Sequence, residues 1–268
     1  MHKTKLVSYL IFSILLTIIF AGCGGGKVTD YEQARIISTA WNGDTLVAYS
    51  KKIERGFVVD GIRRNARLTV ELWLAVVNPQ NGEIDTTFGV REFPSDMERI
   101  EFYPGGNMLL YAESDGVYSF DLKSGERKDF FTHPSIKNNA EEIDVGPGEG
   151  YVAIVVDADV TPSSEGSMDL FMVDISNMSM VFHTGSLVDP QGFAWFSEGC
   201  IAFITPDPWD SEINRVMQFG VSDNIEKPSD MTEEEVRKNF PDPRISSSGR
   251  WEAVDEGGVL AVINISGR

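Results

Sequence analysis

Apolar residues alternate with polar ones or gather in short blocks, and turns marked by Gly, Pro, Asn and Asp separate them. Such short blocks with period-two alternation predict β-strands. The clearest stretch is QGFAWFSEGCIAFITPD (191–207): a strand, a tight turn at Glu198-Gly199, a second strand rich in Ile, Phe and Ala, then a loop. The same order recurs in RIISTAWNGDTLVAYSKK (35–52), RIEFYPGGNMLLYAESDG (99–116), EIDVGPGEGYVAIVVDAD (142–159) and RISSSGRWEAVDEGG (244–258). Each copy continues into a third strand with a polar turn behind it: ELWLAVVNPQNGE (71–83), GVYSFDLKSGE (116–126), DLFMVDISNMS (169–179), RVMQFGVSDNI (215–225) and VLAVINISGR (259–268). An Asp or Asn near the strand end, followed by Ser, Asn or Gly, suits a hairpin. Fourth strands follow as EIDTTFG, ERKDFFT and SMVFHTG, and less clearly after Asn224. β-branched and aromatic residues dominate, with little sustained helical period.

Four antiparallel strands repeated every roughly 45–60 residues predict an all-β fold, a β-propeller. A β-sandwich would have the same strand content, but the order shared within each repeat favours the propeller. Phe193-Ala194-Trp195-Phe196-Ser197-Glu198-Gly199, followed by Ile201-Ala202-Phe203, resembles the WD40-like repeats of the TolB type. Phe102-Tyr103-Pro104-Gly105-Gly106 is a weaker copy, and the first and fifth copies match poorly. The resemblance is to a superfamily pattern, and it implies protein contacts in a bacterial envelope. No fourth strand follows the fifth copy, so Lys27 to Glu32 are expected to supply it. That gives five four-stranded blades closed by the N-terminal strand. A piece of a larger ring is the alternative.

Connections alternate in length. Those from first to second and from third to fourth strand are tight. Those from second to third strand (51–68, 157–168, 205–214) and between blades (89–97, 132–140, 184–191, 226–243) are long. In a propeller the two long classes share one face, where binding is expected. The loop 51–68 reads as a hairpin turning at Val59-Asp60-Gly61-Ile62. It carries Lys51, Lys52, Arg55, Arg63, Arg64 and Arg67, with Phe57 near its tip. These residues are candidate contacts for an acidic partner or anionic headgroups; equally, they solvate the hairpin or pair with the chain's own acids. Trp209, between Asp207 and Asp210, is a candidate to stack on a sugar, grip a peptide or cover the blade top. Asp157, Asp159, Glu165 and Asp169 offer oxygen donors of the kind Ca²⁺ takes, but their spacing is not that of an EF-hand, so a solvated acidic loop is the expectation. Thr232 and Glu235 have capping-box spacing and predict one short helix, ended by Pro241 and Pro243.

The N-terminus changes the setting. Met1 to Lys5 is basic, Leu6 to Phe20 is apolar, and Ala21-Gly22 precede Cys23. That order is an export signal, too short for an easy bilayer span. The Ala-Gly-Cys end resembles the lipobox of bacterial lipoproteins, with Phe20 where Leu is commonest. The resemblance implies a signal over 1–22, a lipidated Cys23 and a Gly tether over 23–26 before a propeller domain over 27–268. It also implies a membrane-held protein of the cell envelope. Gly24, in place of an Asp, favours an outer membrane where the host has one. Loss of Lys3 and Lys5 with the leader takes the formal net charge from −18 to −20. Such a surface repels nucleic acid. Cys200, inside an apolar run, is then left without a disulfide partner and reads as a small buried residue.

Catalytic motifs are scarce. His133 and His183 have no metal-ligand spacing, and there is no nucleophile elbow, phosphate loop or Cys pair. No cofactor and no metal are expected. The reading is a non-catalytic, lipid-anchored module whose long-loop face binds a protein or an envelope polymer such as a polysaccharide. The alternative is a carbohydrate-active propeller using Glu101 and Asp144, which lie in or near predicted first strands, as a carboxylate pair.

Overall fold

The computed structural model describes residues 28–93, 99–103, 106–113, 116–133, 140–148, 150–157, 168–185, 192–207, 209, 213–240 and 242–266. These form two compact units. One holds residues 28–33 and 54–68; the other holds the rest.

The strands come in fours. β1 (Val28–Asn42), β2 (Leu46–Val59), β3 (Ile62–Val77) and β4 (Ile84–Phe93) form the first sheet, hydrogen-bonded in that order. β5 (Ile100–Phe102), β6 (Met108–Glu113), β7 (Gly116–Asp121) and β8 (Arg127–Phe131) form the second. The third is β9 (Ala140–Val145), β10 (Tyr151–Asp157), β11 (Met168–Asp174) and β12 (Ser179–His183). The fourth is β13 (Phe193–Ser197), β14 (Cys200–Pro206), β15 (Asn214–Gly220) and β16 (Ile225–Pro228). Sheets of this meander order, repeated along the chain, are the blades of a β-propeller. The first four expected repeats are borne out strand by strand.

Alternation explains how the blades stack. In β6, Leu109 and Tyr111 turn toward Leu72, Leu74 and Ala48 of the first sheet, while Leu110 and Ala112 turn toward Val152 and Ile154 of the third. Ala153 and Val155 of β10 face Phe193, Ile201 and Phe203 of the fourth sheet. Both faces of an inner blade are therefore buried, which is why its strands read as near-continuous apolar runs.

The fifth sheet is smaller. β17 (Trp251–Asp255) pairs with β18 (Leu260–Asn264), and the segment before them keeps one antiparallel bridge, Ile245 to Glu252. Its first strand is cut short by local chemistry. Pro243 has no N–H to give, Ser246 Oγ accepts from Trp251 N at 3.2 Å, and Ser248 Oγ accepts from Arg250 N at 3.3 Å. The fifth sheet packs on the first: Trp251, Ala253 and Leu260 meet Trp41, Val47, Tyr49, Ala75 and Val77.

Val28 to Glu32, expected to close the ring, are the beginning of β1, a strand of 15 residues in the first sheet. Those residues are held by the long hairpin instead. Tyr31 donates to Glu54 at 2.5 Å and Arg55 to Glu32 at 2.7 Å.

The expected helix is present as α1 (Glu233–Lys238). Thr232 accepts from Glu235 N at 3.2 Å, and Glu235 accepts from Thr232 N at 2.8 Å, closing the capping box. Val236 is its buried residue, set on Ala194, Ala202 and Ile204 of the fourth sheet. Phe240, just beyond it, meets Phe193 edge-on at 5.2 Å.

Candidate functional site

First strands line the axis of a propeller, and the chain enters each of them from the long-loop side. Beside the last residues of β1, the residue before β5 and the middle of β9, a cleft of about 620 Å³ opens, lined by Ser38, Thr39, Arg99, Glu142 and the α1-to-β17 segment with Arg237, Phe240 and Arg244. Sharing Glu142, Phe240 and Asp242 with it is a smaller cavity of about 160 Å³. Its walls bring together Glu101 of β5, Glu142 and Asp144 of β9, and Asp242, with Trp41, Phe193 and Phe240.

Period two places these carboxyls. Glu142 and Asp144 are two apart on β9 and share its axial face, while Ile143 between them is buried in the core. Glu101 sits between Ile100 and Phe102, both buried, and faces the axis in the same way. Sequence reasoning found Glu101 and Asp144. It missed Glu142 and Asp242. The alternation in AEEIDV would have given Glu142, but no local signal brings Asp242 in from a segment about a hundred residues away.

The carboxyls are not equivalent. Burial, reinforced by the nearby charges of Asp144 and Glu142, raises Glu101 well above the ordinary carboxylate range, against the N–H of Phe102, which donates to it at 2.9 Å. Burial also lifts Asp144, to about 7. Trp195 Nε1–H, donating to Asp144 Oδ2 at 2.6 Å, holds it down, and Glu142 adds to the rise. The indole reaches across because Gly146 presents no side chain; a Cβ there would stand 3.0 Å from the Trp195 ring. Asp242 goes the other way. Burial alone would raise it, but bonds from Arg244 Nε at 2.9 Å, Nη2 at 2.7 Å and the backbone N at 3.0 Å hold it below its ordinary value. Glu142 carries an ion pair with Arg99 at 3.2 Å. The cavity therefore sets two carboxyls that keep protons toward neutral pH beside two that are ion-paired. A protonated and an ionised carboxyl side by side can serve as acid and base.

The other candidates lie elsewhere. Lys51 stands 5.9 Å from the Trp73 ring centre, and Lys52 is half-buried. In the smaller unit, Arg55 pairs with Glu32, and Arg63 lies over Tyr31 at 4.8 Å and 4.0 Å from Glu54. Phe57 is half-buried, whereas Arg64 and Arg67 are exposed. Trp209 does not cover its blade: it is 94% exposed, with its backbone N bonded to Asp207 at 2.8 Å. Cys23 and most of the acidic loop, 158–167, lie outside the described residues. Asp169, at that loop's end, is buried and accepts from Thr184 Oγ1 at 2.8 Å and Gly185 N at 3.0 Å. His133 and His183 belong to an aromatic cluster with Phe131 and Phe171. Among the described residues, no group of three or more His, Cys, Asp or Glu is placed to hold a metal.

No family model and no curated protein matches the sequence. Solved structures do resemble it. An oligogalacturonate lyase in complex with manganese aligns at 10% identity and a TM-score of 0.44, over 81% of this chain and 61% of the lyase. An acylaminoacyl peptidase from Pyrococcus horikoshii aligns at 12% identity and 0.44, over 84% and 34% of the two chains. A protein designated TolB from Agrobacterium tumefaciens aligns at 11% identity and 0.37, over 76% and 89%. The chain spans about six-tenths of the lyase's length and a third of the peptidase's. At these identities the likeness is one of fold. It nevertheless overturns the expectation of a chain without catalysis. Enzymes stand among the similar structures.

Proposed function

We propose that this chain is a lipid-anchored envelope propeller that draws a polysaccharide strand into the cleft on its long-loop face and acts on it with Glu101 and Asp144. One observation carries the reading: two first-strand carboxyls, both raised by burial, line one small cavity that shares Glu142, Phe240 and Asp242 with the cleft. Cleavage of a glycosidic bond asks for one carboxyl that still holds its proton near neutral pH and a second that is ionised. Glu101, raised further by its neighbours' charge, is assigned the acid. Asp144, raised to about 7, is ionised as the pH passes neutrality and is assigned the base or nucleophile. Phe240, half-buried in the cavity wall, offers an apolar face on which a sugar ring stacks. The leader and Cys23 support a membrane anchor in the cell envelope, with the outer membrane favoured by Gly24.

The test is a screen of envelope and extracellular saccharides for binding and turnover, with Glu101→Gln and Asp144→Asn alongside the parent. Turnover by the parent, lost by a hundredfold or more in Glu101→Gln with binding kept, is the expected outcome. A parent that neither binds nor cleaves any saccharide, yet captures a single envelope protein through the same face, overturns the reading.

A further inference from the structure

The smaller unit joins two stretches far apart in sequence. Residues 28–33 open β1, and residues 54–68 are the outer halves of β2 and β3 with their turn. Asp60 and Gly61 both have positive φ, 52° and 79°, as a two-residue hairpin of the primed type requires. The Tyr31–Glu54 and Glu32–Arg55 bonds tie the start of β1 to this hairpin. The contact is close: a Cβ on Gly56 would lie 2.9 Å both from Tyr31 Cε1 and from the Arg64 carbonyl oxygen. Cys23 is only five positions before Val28. At about 3.5 Å per residue, an acyl group on Cys23 stays within roughly 18 Å of this unit.

The hairpin's surface fits such a neighbour. By alternation, Ile62, Arg64, Ala66 and Leu68 share one face of β3, and Arg63 and Arg67 share the other. The aliphatic members of the first face are open, Ile62 at 54% and Leu68 at 48%, and Val28 is open at 60%. Residues 28–33 and 54–68 carry four Arg against Asp30, Glu32, Glu54 and Asp60, so this unit is neutral where the mature chain as a whole is strongly acidic. The rest of the chain is repelled by an anionic surface, and this unit is not. Exposed aliphatics with Arg between them, beside a lipid anchor, are the composition of an interfacial contact.

We infer that the Ile62–Arg64–Leu68 face of the hairpin seats on the lipid headgroups of the membrane that holds the anchor. The inference rests on the lipoprotein reading above. Its partner is a lipid surface, with aliphatic side chains at the headgroup boundary and Arg64 against phosphate.

The experiment uses the full chain, processed in a bacterial host and carrying Cys200→Ser and Ile62→Cys. The thiol bears an environment-sensitive dye, and Ser179→Cys is the control. The protein is placed on phosphatidylcholine vesicles with or without phosphatidylglycerol. Iodide quenching of the dye at position 62 is expected to fall several-fold on the anionic vesicles, to recover with Arg64→Glu, and to stay unchanged at position 179. Mass spectrometry of the N-terminal peptide reports separately whether Cys23 is acylated, so failure of the anchor is distinguished from failure of the hairpin contact. Acylated protein whose position 62 remains as open to iodide on vesicles as in their absence overturns the inference. So does shielding that appears only when envelope protein is added, which would make the partner a protein.

Discussion

Asp144 shows how one residue's setting becomes a measurable property. Burial raises its pKa from the ordinary 3.8 to about 7, although the Trp195 indole opposes the rise. The folded value lies above the unfolded one. The stability that Asp144 contributes is therefore complete below about 4 and is lost as pH rises through about 7, at about 1.4 kcal/mol per pH unit at most. Asp144→Asn keeps an oxygen for Trp195 to donate to and removes the charge. The variant is expected to be more stable than the parent at pH 8, by up to about 4 kcal/mol, with the gap closing toward pH 4. Urea unfolding of both proteins across that range checks it; a gap that does not change with pH would mean that Asp144 titrates normally. Asp144 was legible as an axial residue because first strands are recognisable from their repeats. Its acidity was not, since it depends on Trp195 and Glu142. Glu142 lies two residues away, but the indole comes from the neighbouring blade, and sequence spacing does not say which blade's side chain crosses a Gly.

At the level of elements, α1 does what a blade face does elsewhere. Each inner sheet buries both faces against other sheets, yet Ala194, Ala202 and Ile204 of the fourth sheet are covered by Val236 of a helix of six residues. Ala194 and Ala202 are cross-strand partners, and their small side chains leave room for the helix to approach. So short a helix is marginal in isolation, and its caps matter accordingly. Thr232→Ala removes the acceptor for Glu235 N and is expected to cost about 1 kcal/mol in urea unfolding. The same helix carries Arg237 to the cleft, and Phe240 follows it there, so the variant should also weaken whatever the cleft holds. Unchanged ligand affinity would separate the helix from the site. The helix itself was readable from its capping box. Its packing was not, because one buried side chain in six residues leaves no periodicity to follow. The long hairpin was readable for the opposite reason: Asp60-Gly61 is a strong turn signal, and alternation runs unbroken on both sides of it.

At the scale of the whole chain, the question is what joins the first blade to the last. The residues expected to supply a closing strand begin β1 of the first sheet. The first and last blades meet through hydrogen bonds, one of them between backbones, Ser247 N to the Gly43 carbonyl at 3.4 Å. Trp41 Nε1 donates to the Arg244 carbonyl at 2.8 Å, Ser248 N donates to Asp44 at 3.1 Å, and Arg250 reaches the carbonyls of Pro79 and Gln80 at 3.3 and 3.1 Å. Trp251, fully buried, lies against the turn at Gly82. Repeats made the blades legible. This seam was not, because it depends on residues some 170 to 200 positions apart that follow no repeat. Two glycines in equivalent turns test it. Gly82 and Gly125 have nearly the same φ, 75° and 72°, so Ala at either one bears the same left-handed strain, about 1–2 kcal/mol. They differ in what a Cβ would meet. At Gly125 there is nothing within 4 Å; at Gly82 the Trp251 ring stands at 2.5 Å. Gly82→Ala is therefore expected to be more destabilising than Gly125→Ala by a further 1–3 kcal/mol, the range for overpacking a filled core. Thermal or urea unfolding of the pair reads the difference directly. Equal losses would mean that Trp251 does not rest on the first blade and that the two ends of the chain are joined in some other way.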